Sequence, residues 1–365
     1  MKNISLSPFF KYLILLVLQI LIVQFLGLFP EIITDYYFDT LYPFIAKILH
    51  FTLGWIPFSL GDILYTILFL SILYTIFKLI QKKGKNWKII LKKSLIFINV
   101  FYLIFQLFWG LNYKKLDFST QFQLKKYTAG KEELYELTSL MIQKTNYLRT
   151  LQQEDSQGIT QFSYTDIKEK SYNAYQTFTP TLNLQFQTKA PVYQSLFSDI
   201  IAHLGIGGYY NPFVGSAQIN AKSFPIDYAW VINHEIAHQY GFASEKEANY
   251  VSFLVNMKSG KTDMQYSACY NTLFHLLFEV YKIDPEQAKL FKSQLSEDVL
   301  RDRMAERKYY EQYQGKMNDA FSQANNLYLK ANGEAGIESY SYYTQLLLNQ
   351  YLAERNKEAK FYILE

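Results

Sequence analysis

Three stretches of this chain run apolar almost without interruption, and most of the remainder alternates apolar and polar positions with a helical period. From Tyr12 to Phe29 no residue is charged. At 1.5 Å per residue that is roughly 27 Å of helix, close to the thickness of a hydrocarbon core. No small-x-small cleavage pattern follows and further apolar runs come later, so the stretch reads as a retained span, not a cleaved signal peptide. A second run, Ile63 to Phe77, is shorter; the stretch Ile48 to Gly61 before it, broken by Pro57, suits the membrane interface. A third, Ser94 to Tyr113, ends in FWGLNY, an aromatic cluster of the kind found at headgroup level. The expectation is three transmembrane helices at about 12–29, 61–80 and 94–113, making a membrane domain of residues 1–113.

Charge orients these spans. Lys78, Lys82, Lys83, Lys85, Lys88, Lys92 and Lys93 lie between the second and third runs with no acidic residue among them, whereas Glu31, Asp35 and Asp39 outnumber Lys47 after the first. The positive-inside rule places the lysine loop in the cytoplasm. With Lys2 and Lys11 also inside, an odd number of crossings delivers residues 114–365 to the extracytoplasmic side.

Beyond Lys114, helical periodicity predicts helices over Lys131–Gln152, Thr165–Thr177, Val192–His203, Phe224–Tyr240, Glu245–Met257, Asp263–Ile283, Glu297–Lys330 and Glu338–Ala353. Asn332-Gly333 closes the long one. Gly and Pro punctuate Gly205 to Asn220, where Ala217, Gln218, Ile219 and Asn220 alternate as a strand would. The predicted fold is therefore mostly α, an α+β domain with a short β-sheet, preceded by three transmembrane helices.

Composition narrows the function classes. Half of the residues are apolar and 18% aromatic against 19% charged, which suits a chain partly in lipid. The net charge of +4 sits largely in the lysine loop, so no nucleic-acid partner is expected. Cys269 is the one cysteine, which excludes an intrachain disulfide and any multi-cysteine zinc cluster. A metal site would have to use histidine and carboxylates.

The chain contains such a set. His234-Glu235-Ile236-Ala237-His238 is HExxH; on a helix, residues i and i+4 share a face one turn apart, so both imidazoles can reach one ion. Glu235 is offset from that face, where a carboxylate can act as general base. Gly241 is placed to end the helix, and Ser244 to Glu247 reads as a capping box opening the next. Glu245 and Glu247 compete as third ligand. Glu247 has the capping-box role available to it, whereas Glu245 shares a small, polar stripe with Ala248, Asn249 and Ser252, and Asn249 could orient a ligand by a hydrogen bond. His203 and His275, on apolar faces, read as core histidines, and His50 falls in the membrane part. Ala217, Gln218, Ile219 and Asn220 are candidates for holding extended substrate on an edge strand. Tyr209, Tyr210 and Tyr340 are candidate donors to a developing oxyanion.

The stretch HEIAHQYGFASEKEANYVSFL resembles the gluzincin arrangement, HExxH followed by E-x-x-A-(D/N) on the next helix. The whole chain resembles more closely an uncharacterised family of three-span bacterial membrane proteins, domain of unknown function 3810, through PFSLGDILY, FWGLNY, GGYYNPFVGSAQIN, the HEIAHQYGF to EKEAN block and YLKANGEAGIESY. These likenesses imply a zincin-like metallopeptidase domain outside the bacterial cell membrane, with Zn2+ on His234, His238 and Glu245, Glu235 as base and Asn249 in support. The gap between His238 and Glu245 is tighter than in many gluzincins, and Asn stands at 249 in place of Asp. The expected partners are the lipid bilayer and a peptide or protein substrate in the cell envelope. The competing reading is a non-catalytic envelope protein whose metal site is structural or vestigial; a transporter or lipid-binding role has little support, since the spans hold no intramembrane charge pairs.

Overall fold

In the computed structural model, residues 8–81, 87–182, 184, 189–318, 323 and 341–359 are described. Three helices, α1 (Pro8–Leu26), α3 (Leu60–Gln81) and α4 (Trp87–Phe108), are long and apolar enough to cross a membrane and turn nearly all of their apolar side chains outward. α1 and α4 pack side by side, and Asn99 Nδ2 in α4 donates to the Tyr12 carbonyl of α1 at 3.1 Å. Between α1 and α3 run a wide π-type segment, Ile33–Leu41, and helix α2 (Tyr42–Leu53).

Two of these helices end before the residues expected to close the spans. The first helix, described from Pro8, stops at Leu26, before the break of Gly27. The third, described from Trp87, stops at Phe108, because Trp109 leaves helical geometry and Gly110–Lys114 tightens into a 3-10 turn. Apolarity reports which residues lipid tolerates, whereas helix ends report where backbone bonding changes partner.

The remaining helices are α5 (Lys131–Arg149), α6 (Tyr164–Phe178), α7 (Asp227–Gln239), α8 (Glu245–Lys258), α9 (Thr262–Ile283), α10 (Pro285–Lys292), α11 (Glu297–Glu311) and α12 (Tyr342–Arg355). α9 is the hub: its face of Leu273, Leu276 and Val280 is fully buried and packs on α5, α7 and α8. Phe38 and Ala46, ahead of the second span, belong to this same core.

A three-stranded sheet covers α7. β1 (Val192–Gln194) runs parallel to β3 (Ser216–Ile219), and β2 (Gly208–Asn211) antiparallel to β3, giving the order β1-β3-β2. The hairpin expected between Gly205 and Asn220 is present, its turn closed by Gly215 at φ +65. The helix expected over Val192–His203 is instead β1 followed by a short helix, Ser198–His203. Pro191 biases the chain toward extended backbone at its start, and β3 offers Val192 and Tyr193 a ladder partner. The helix expected from Glu297 ends at Glu311; most of its further residues, with Asn332 and Gly333, lie outside the described ones.

Candidate metal centre

α7 presents its inner face to the sheet and α8, so Ile232, Ile236 and Ala237 are buried. Gly241, at φ +85, ends the helix as its position predicted: its amide bonds to the His238 carbonyl and that of Phe242 to Ala237. The chain thereby reverses, and α8 starts at Glu245 against the HExxH helix.

This reversal brings His234, His238 and Glu245 together, with one ligating atom of each inside a 4.8 Å cluster. His234 Nε2 lies 3.1 Å from Glu245 Oε2 and His238 Nε2 3.6 Å from Glu245 Oε1. A tetrahedral zinc with bonds near 2 Å spaces its ligands by roughly 3.3 Å, and the two histidine–Glu245 separations lie close to that value. The other ring nitrogens are held from behind, His234 Nδ1 by Asn249 Oδ1 at 2.8 Å and His238 Nδ1 by the Phe242 carbonyl at 2.7 Å. Each bond leaves Nε2 aimed at the common point. Both histidines are buried and Glu245 is half-exposed to the cleft.

Electrostatics separate the two imidazoles. Burial opposes charge on His234, but the hydrogen bond to Glu245, the charges of Glu245 and Glu235 and the Asn249 bond together outweigh it and lift it to about 9. Burial dominates at His238, lowering it to about 4. Burial alone would raise Glu245, yet the two histidines hold it at about 2.

Glu235 is buried one residue on, and its Oε2 has no hydrogen-bond partner among the described residues. Burial pushes its carboxyl up to about 8 against the pull of His234. Gly208 of β2 makes room for it: a Cβ there would stand 2.9 Å from Glu235 Cγ and 3.0 Å from the Gln218 carbonyl.

Glu247 points elsewhere. Its carboxylate is buried, paired with Lys115 at 2.9 Å and accepting from the Phe118 amide at 2.7 Å. The expected capping box with Ser244 is not formed, because these two long-range donors take the carboxylate.

β3, with Ala217, Gln218 and Ile219, is the central strand, paired on both sides and fully buried, and Asn220 bonds the Ile206 carbonyl. A substrate strand therefore cannot add to these four residues; the sheet's edge facing the site is β2. The Tyr209 hydroxyl is held by Asp62, whereas Tyr210 packs edge-on to Trp109 at 4.9 Å and lines the cleft. Tyr340 lies outside the described residues. His203 bonds its own helix's Asp199 carbonyl, and His275 bonds Ser341 and Thr344; neither joins the cluster.

Some contributors were not anticipated. Trp109 stands edge-on to His238 at 5.7 Å, and the Tyr42 hydroxyl donates to the last carbonyls of α7, 3.0 Å to Gln239 and 3.3 Å to His238. FWGLNY reads as an interface belt, and nothing local in it signals a second duty.

The family model described as protein of unknown function (DUF3810) matches residues 37–348. The chain belongs to that family. The match takes in the second and third apolar helices of this DUF3810 member together with its sheet and HExxH helix, the same elements that meet around the cleft. No curated protein and no solved structure matches it.

Proposed function

We propose that this chain is a membrane-anchored zinc-dependent peptidase of gluzincin type. The observation that carries the reading is the convergence of two imidazoles and one carboxylate beside a buried, unpartnered Glu235. Two nitrogens and one oxygen are a donor set suited to zinc, and three protein ligands are the number that catalytic zinc sites use. His234, His238 and Glu245 would hold the ion, which supplies Lewis-acid polarisation and acidifies a water molecule.

The chain's own residues do the rest. Glu235 Oε2, free of other partners, takes the proton from the attacking water and returns it to the leaving amine. The β2 edge from Gly208 to Tyr210 receives an extended peptide by main-chain pairing, with Gly208 allowing close approach to Glu235. Tyr210 supplies a hydroxyl toward the charge that develops on the carbonyl oxygen. A purely structural metal tie between α7 and α8 gives no reason for an orphaned acid beside an open cleft of about 740 Å³.

The expected result of metal analysis on purified, folded protein is about one zinc per chain; folded protein that binds none sinks the reading. We assign the domain after α4 to the extracytoplasmic side from the lysine bias alone. Cys269 is buried, so Glu286→Cys on exposed α10 provides a clean label site. Membrane-impermeant maleimide should modify it in intact cells, and modification only after lysis reverses the assignment.

A further inference from the structure

The wall of the cleft opposite the HExxH helix is part of the membrane helix bundle. Phe101 and Phe105 of α4 and Tyr65 of α3 line the same cavity as His234, Glu235, His238 and Glu245. Phe101 and Phe105 lie one turn apart on α4 and Trp109 follows just past its end, so the three extend over roughly 12 Å along the direction of the helix. Trp109 touches His238. The β2–β3 turn closes over these residues, with the Phe213 ring 4.9 Å from Phe101 and 6.5 Å from Phe105. On α4 the neighbouring Phe97, Val100 and Leu103 are about half exposed, as lipid-facing residues are. The His234, His238 and Glu245 cluster thus shares one cavity with an aromatic wall that continues along α4.

We propose that the site acts on the membrane-proximal segment of a bilayer-anchored polypeptide, which reaches the cluster laterally along the wall made by Phe101 and Phe105 of α4 and Trp109 just beyond it. The inference rests on the peptidase reading for its chemistry and on the position of the cleft for its substrate class. A cleft meant for peptides in water gains nothing from a wall built into a span, whereas an anchored chain leaving the bilayer passes that wall first. A polypeptide is favoured over a phospholipid by two observations. The edge of β2, with Gly207 and Gly208 in the lining, offers main-chain hydrogen bonds that an acyl chain cannot use. Among the described residues the lining also includes no lysine or arginine to hold a headgroup phosphate.

The test uses the full chain in vesicles of phosphatidylethanolamine and phosphatidylglycerol, with Glu235→Gln to prevent turnover and the photoreactive Phe213→benzoylphenylalanine in the cleft. The probes are a mixed-sequence peptide pool bearing a palmitoyl anchor through either a short or a long Gly-Ser spacer. Both partition alike, so surface enrichment cancels. About four extended residues cover the wall's length, and longer flexible tethers dilute the bound segment, so capture should be about tenfold greater with the short spacer. Equal capture, or preference for the long spacer, overturns the proposal. Capture of phospholipid that excess anchored peptide does not reduce also overturns it, because the cavity is then a lipid site. The same pair of probes with the photoreactive residue at Tyr113 repeats the measurement should the Phe213 variant not fold. Hydrolysis by unmodified protein is read separately. Cleavage of both spacers at equal rates leaves the peptidase standing and removes the lateral route; spacer-dependent capture with no hydrolysis does the reverse.

Discussion

Replacing Glu235 by Gln should lower peptide hydrolysis by about 10²–10⁴-fold, the usual worth of a positioned general base, while bound zinc stays unchanged. The substitution keeps the side chain's shape in a site where Gly208 leaves it little spare room. It also removes a carboxylate that is not part of the His234, His238 and Glu245 cluster. What is lost is the ability to accept a proton at the buried, unpartnered Oε2. Metal content and hydrolysis measured on the same preparation decide the matter. Full activity in the variant removes Glu235 as base, and loss of zinc alongside activity moves it into the coordination set.

Glu245→Ala and Glu247→Ala should fail in opposite ways, although the residues are two apart. Glu245 supplies the carboxylate oxygens between the two imidazoles. Residues that merely orient a ligand are worth 10–100-fold in metal affinity, so deleting a ligand should cost more than about 100-fold. The fold should persist, since that carboxylate is half-exposed and, among the described residues, bonds only the histidines. Glu247→Ala leaves the cluster intact but takes the one carboxylate from the buried Lys115 ammonium, which lies between Phe38 and Phe242 and keeps only the neutral Leu116 carbonyl and Gln121 amide oxygens among the described residues. Removing one partner of a buried pair costs about 3–5 kcal/mol, whereas replacing both, as in Lys115→Met with Glu247→Leu, should recover much of that. Zinc titration and thermal unfolding in detergent separate the two effects. Retained metal affinity in Glu245→Ala, with the loss appearing in Glu247→Ala, would exchange their roles.

Glu247 also shows where local reading stops. Ser244-x-x-Glu247 satisfies every sequence criterion for a capping box, yet the carboxylate is drawn to Lys115 and the Phe118 amide, more than a hundred residues away. A charged donor and a buried amide outcompete a cap bond that water can replace. The strand order is another case. Alternation marks Ser216–Ile219 as a strand, but whether it lies at an edge depends on β1, which joins it from residues 192–194. Pairing on both sides buries the segment, and the open edge passes to β2.

The three apolar helices, the HExxH face, the Gly241 reversal and the hairpin were legible because each is governed by spacing within one or two turns of chain: apolar length, the i to i+4 repeat, a residue free of a Cβ penalty, a period of two. Helix ends, the duty of Glu247, the strand order and the aromatic wall of the cleft came only with the fold. These depend on which distant groups compete for a hydrogen bond or a face, as Trp109 does against His238 across 129 positions of chain. That competition is settled by packing, which no local pattern encodes.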